Sequence, residues 1–119
     1  MRSPRVFRLA LAAVVTAVGS AGFLGASPAA KASPLLALHQ KMKVGGKLCL
    51  ATHRHTGFAR RAGSKRAVAR AAMADWRDFT TMEYGAAWGS FRRGHDRRVS
   101  CERANNGWSC TVSALPCRR

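Results

Sequence analysis

Apolar residues between Ser64 and Tyr84, SKRAVARAAMADWRDFTTMEY, recur at helical rather than strand spacing. Val68, Ala72, Trp76 and Phe79 fall on one stripe, the i, i+4, i+8, i+11 pattern of a face packed on a core. Arg66, Arg70 and Arg77 fall together on another side. Ser64 can accept an orphan backbone N–H of the first turn, and Gly85 suits the left-handed position that stops a helix. Alanines at 67, 69, 71, 72 and 74 supply the propensity and let the helix lie close to a sheet. Glu83 breaks the pattern, because an ideal wheel puts it within about 20° of the apolar stripe. A carboxylate there must be paired or must reach water through a frayed helix end. Fraying is the expectation, and pairing with an arginine, His53 or His55 is the alternative.

The rest of the chain reads as strands and turns. Lys47–His53, KLCLATH, predicts a strand that sends Cys49, Ala51, His53 and His55 to one side and Leu48, Leu50 and Thr52 to the other. Residues 56–63 read as a loop carrying Phe58, Arg60 and Arg61. Trp88 and Phe91 sit in a short segment, 86–92, whose flanking glycines favour a strand, with a turn over 93–96. Arg97–Arg103 and Gly107–Ala114 flank Ala104-Asn105-Asn106-Gly107, a strong hairpin signal. The second arm alternates, with Trp108, Cys110, Val112 and Ala114 on one face and Ser109, Thr111 and Ser113 on the other. Before all of this, residues 33–46 contain Pro34 and Gly45-Gly46 and read as a flexible leader. The fold predicted is one small α+β domain over 47–119, a helix packed on a small antiparallel sheet in the order β-α-β-β-β.

Residues 1–32 predict a cleaved Sec-type signal peptide. Arg2, Arg5 and Arg8 precede the apolar run Leu9 to Ala26, and Ala30-Lys31-Ala32 offers a small-x-small cleavage site. Four glycine or serine residues in that run weaken a membrane anchor. The destination predicted is the periplasm or the extracellular space. Cys49, Cys101, Cys110 and Cys117 all follow the cleavage site, and an even count in a small exported chain predicts two disulfides. A turn at Asn105-Asn106 sets Cys101 against Cys110 and leaves Cys49 for Cys117. A turn at Asn106-Gly107 sets Cys101 against Val112 and favours other pairings.

Charge narrows the choice of partners. The chain has 21 basic and five acidic residues, and only four of the basic ones precede Ser33. Such an excess favours polyanions: lipid head groups, acidic polysaccharide or nucleic acid. Arg60, Arg61, Arg66, Arg70, Arg77, Arg92, Arg93, Arg97 and Arg98 are the candidate contacts. No nucleophile constellation, phosphate loop or cofactor motif occurs, so no catalytic residue is assigned and no cofactor is expected. In His53-Arg54-His55 alternation sets two imidazoles side by side; two solvent-edge histidines at a strand end are the expectation, and half of a metal site or an acid/base pair is the alternative. His39, Glu83, His95 and Asp96 are the candidates to complete it.

A strand ending in His53, His55 and Gly57, an alanine-rich helix with Trp76, then Tyr84-Gly85, Trp88, Cys101, Trp108-Ser109-Cys110 and Ala114-Leu115-Pro116-Cys117 together resemble a family of small exported bacterial proteins. The resemblance spans Lys47 to Arg118. It implies export and a single fold, and it carries over no site. The expectation is a monomeric, non-enzymatic basic module of the cell envelope that contacts an acidic partner. The alternatives are a small metal-binding or acid/base enzyme using His53 and His55, and a protein-directed inhibitor presenting Phe58 or Trp88.

Overall fold

The structure, a computed structural model, describes residues 33–119, so the signal-peptide reading lies outside the described residues. The chain runs α1 (Pro34–Ala37), β1 (Lys41–Val44), β2 (Lys47–Leu50), β3 (His55–Arg61), α2 (Lys65–Tyr84), a 3-10 turn (Phe91–Arg93), β4 (His95–Ala104), β5 (Gly107–Leu115) and β6 (Cys117–Arg118). It is α+β, with one main helix on small antiparallel sheets. There are two sheets of three strands, ordered β1-β2-β6 and β3-β5-β4.

Helix α2 begins as its sequence dictates. Ser64 Oγ accepts from the Ala67 N–H at 3.1 Å, and at the far end Gly85, with φ 93°, donates its N–H to the Thr81 carbonyl. Its buried residues are Val68, Ala72, Trp76, Thr80 and Tyr84. Each step of four residues advances the buried line by about 40° around the helix. The first half therefore faces β3-β5-β4, where Val68, Ala72 and Trp76 pack with Cys110, Val112, Ala114 and Phe91. The C-terminal end turns toward the other sheet, where Tyr84 packs with Leu50 and Trp88. Phe79, expected on the stripe, lies off this line and is 42% exposed.

Four other expectations are corrected. The leader is not free: β1 pairs with β2 from Lys41↔Leu50 to Val44↔Lys47, and the Ala51 N–H bonds the Gln40 carbonyl at 2.8 Å. The first predicted strand stops at Leu50, short of His53. Residues 56–63, read as a loop, supply most of β3, which pairs with β5 along its length. Residues 86–92 form a turn and the start of a 3-10 turn rather than a strand.

Gly57 explains how the helix lies so close to β3. A Cβ there would come within 2.3 Å of the Ala72 carbonyl oxygen and 2.6 Å of Trp76 Cβ. Only a residue without a side chain permits that contact. The hairpin turns at Asn105-Asn106, which puts Ala104 opposite Gly107 and Cys101 opposite Cys110. The disulfides are Cys101–Cys110 and Cys49–Cys117. They close loops of unequal length, with sequence separations of 9 and 68.

Candidate metal centre

One stripe of α2 holds His55 from its backbone to the tip of its ring. Trp76 Nε1–H donates to the His55 carbonyl at 3.0 Å, fixing the first residue of β3 against the helix. One turn later, the Thr80 hydroxyl donates to the Trp76 carbonyl at 2.7 Å. Its only proton is thereby used, and its lone pairs accept from His55 Nδ1–H at 2.8 Å. The network assigns the tautomer: the neutral ring carries its proton on Nδ1 and a lone pair on Nε2. Glu83, a further turn along, brings Oε2 within 3.0 Å of that Nε2. Yet Nε2 is buried and makes no well-aligned hydrogen bond among the described residues.

The electrostatics sharpen the point. Burial lowers the His55 pKa from its ordinary value; the Glu83 carboxylate pulls upward, and the charges of His53 and His39 add to the lowering. A neutral His55 presents a lone pair to a carboxylate. Two acceptors at this separation attract only if a proton or a metal cation lies between them, and burial of the ring opposes the proton.

His53 supplies a second imidazole. Its Nε2 lies 4.0 Å from Glu83 Oε2, its ring centroid is 4.8 Å from that of His55, and its side chain is 39% exposed. The donor atoms of His53, His55 and Glu83 all lie within 4.8 Å of one another. A tetrahedral ion bonded at 2.0–2.1 Å sets its donors about 3.3 Å apart, so modest side-chain adjustment suffices. Arg54 faces the opposite way, bonding the Asp96 carboxylate and, at 2.7 Å, the Asp96 carbonyl. The alternation expected of His53-Arg54-His55 is therefore present, although a bend at residues 51–52 separates it from β2.

The other expected ligands divide. Glu83 is the penultimate residue of α2, and its carboxylate turns to His55 and His53 rather than out to water at a frayed end. His39 stacks on His53, with ring centroids 4.4 Å apart, and its Nε2 is hydrogen-bonded to the Tyr84 hydroxyl at 3.0 Å. Burial and the Glu83 carboxylate push Tyr84 up to about 12. Asp96 belongs elsewhere: the hydrogen bond from Arg98, and then the charge of Arg54, holds its carboxyl below the usual range. His95 sits opposite Leu115 in the second sheet and is not part of the cluster.

The arginines do not form one patch. Arg70, Arg77 and Arg92 line one shallow cleft, and Arg60 and Arg61 line another with Arg103 and Glu102. Arg77 and Arg98 are paired to Asp78 and Asp96. Arg93 donates to the Ala87 carbonyl at 3.1 Å, while Arg66 and Arg97 stand exposed. Trp88 is 2% exposed and cannot serve as a surface anchor, whereas Phe58 is half exposed on the outer face of the sheet.

Two imidazoles and a carboxylate suit borderline divalent ions such as zinc, copper or nickel, and supply too few oxygens for calcium. Thiolates do not compete, since all four cysteines are in disulfides. Comparison of the chain with protein-family models, curated proteins and solved structures returns no match.

Proposed function

We propose that this is an exported protein that binds a late divalent transition-metal ion through His53, His55 and Glu83. The observation that carries the reading is the buried, unpartnered Nε2 of His55, held by its own Nδ1 bond and set 3.0 Å from a carboxylate oxygen. Buried polar atoms are almost always satisfied, and a divalent ion shared with Glu83 would satisfy this one without charging a buried ring. The hydroxyl of Thr80 is then the outer partner that orients a metal-bound imidazole. Two disulfides support an oxidising compartment, and among the described residues no helix is long and apolar enough to cross a membrane.

Calorimetric titration of the disulfide-bonded protein with Zn(II) tests it. The expected result is one ion per chain, with Glu83→Gln and His53→Ala each weakening binding by more than about 100-fold, beyond the loss typical of an outer-shell partner. Absence of saturable binding by the wild-type chain sinks the proposal.

The basic surface supports a second, spatially separate reading, contact with an anionic envelope component or nucleic acid. Its specific support is the convergence of Arg70, Arg77 and Arg92 on one cleft. Binding to a sulfated polysaccharide column that does not weaken between low and moderate salt would contradict it.

A further inference from the structure

We propose that His39 is the fourth ligand of the metal, and that Tyr84 holds it in readiness in the metal-free protein. The inference rests on the site proposed above and adds what completes it. His53, His55 and Glu83 leave one position of a tetrahedral ion unfilled by protein. The N-terminal segment packs against the C-terminal end of α2 beside the site and brings a third imidazole. The His39 ring lies against the His53 ring at 4.4 Å, and its Nε2 is engaged by the Tyr84 hydroxyl at 3.0 Å. Tyr84 in turn is central to the group, with ring centroids 5.5, 6.0 and 5.1 Å from those of His39, His53 and His55.

The backbone is held on both sides of His39. The Ala51 N–H holds the Gln40 carbonyl, and Lys41 Nζ bonds the carbonyls of Leu36 and His39 at 3.0 and 3.3 Å. No residue of α1 is fully buried, but Leu36 packs against Leu50, Tyr84 and Trp88 and anchors the turn preceding His39. The His39 ring already lies beside the cluster, so exchange of the Tyr84 hydrogen bond for a metal bond is a reorientation of the ring on a held backbone. The result is a closed three-histidine, one-glutamate sphere with no position left for water. Such a site stores or carries an ion rather than activating a water molecule. It also ties the N-terminal segment to the end of α2, so that segment gains order on loading.

Co(II) and Zn(II) serve as probes, with His39→Ala, His39→Gln and Tyr84→Phe as variants of the full disulfide-bonded chain. The wild type is expected to give the intense visible absorption of tetrahedral Co(II) and slowed amide exchange over residues 34–44 on loading. His39→Ala and His39→Gln should each lose more than about 100-fold in affinity and shift the Co(II) bands toward a water-containing sphere. Tyr84→Phe should bind as tightly as the wild type or more tightly, because the competing hydrogen bond is gone. A His39 variant that keeps the wild-type Co(II) spectrum overturns the inference even if affinity drops, since His39 then acts only by positioning. A Tyr84→Phe loss matching that of His39→Ala overturns it in the same way. In both cases binding itself survives and the three-residue site stands; failure of the wild type to bind either ion removes both.

Discussion

His55 Nε2 and Glu83 Oε2 lie 3.0 Å apart, one from the start of a strand and the other from the last turn of a helix, 28 positions along the chain. The pair meets because Trp76, Thr80 and Glu83 occupy successive turns of one helix. The first fixes the His55 backbone and the second its ring. A site built this way fails in separable parts, and each part gives a distinct expectation.

Thr80 is the positioning residue. Thr80→Val keeps the volume but leaves His55 Nδ1–H buried without an acceptor, at a cost of about 1–3 kcal/mol in stability. Zinc affinity should fall by roughly 10–100-fold, the usual effect of losing an outer-shell partner. Chemical denaturation and calorimetry measure the two losses. A stable variant with unchanged affinity would show that the ring needs no such support.

Acidification should destabilise the metal-free protein. Burial depresses the folded pKa of His55 below the unfolded value of about 6.5, so the unfolded chain takes up the proton first. The stability that neutral His55 allows is complete above about pH 6.5 and is lost as pH falls toward the depressed value. Glu83 on α2 opposes this shift, while His53 and His39 reinforce it. Denaturation curves from pH 8 to pH 5 should show the decline in the wild type and a flatter profile in His55→Gln. An equal slope in both would assign the proton uptake to another group.

The pieces of this site are legible in the sequence, but the expectation for them is two histidines on a solvent edge and a glutamate at a frayed helix end. Period-two alternation paired His53 with His55, and the misfit of Glu83 on an apolar stripe marked it as needing a partner. What hid was the strand between them and the helix. In β3 the residues facing α2 are His55, Gly57 and Ala59, while Phe58 points outward, so the apolar pattern runs opposite to that of a half-buried strand. Gly57 is small because the helix backbone touches it, and a hydrophobicity pattern cannot register a contact made by an absent side chain. The strand β1 hid because four residues, half-buried only at Met42 and Val44, are too few to show a period. Phe79 misled because an i+3 step and an i+4 step look alike until the partner surface decides between them.

Gly57→Ala tests the close approach. The added methyl would sit 2.3 Å from the Ala72 carbonyl oxygen, backbone that cannot move without displacing the helix. A loss of about 1–3 kcal/mol is expected, as for overpacking elsewhere, together with weakened zinc binding, because Trp76 and Glu83 move with the helix. Thermal denaturation without metal that matches the wild type would contradict the packing described.

The two disulfides should differ in what they protect. Chain entropy gives roughly 3 kcal/mol for Cys101–Cys110 and roughly 4 kcal/mol for Cys49–Cys117. Only the second lies in the sheet that leads into His53, since Cys49 is in β2 and pairs opposite Cys117 in β6. Replacing Cys49 and Cys117 with alanine should lower both stability and metal affinity. The equivalent change at Cys101 and Cys110 should lower stability with little change in affinity for the protein that remains folded.

X-ray absorption at the zinc edge of the loaded, disulfide-bonded protein tests the central claim most directly. The account predicts a shell of nitrogen and oxygen at about 2.0–2.1 Å with imidazole scattering and no sulfur. A sulfur shell, or one made of water oxygens without imidazole, would contradict it.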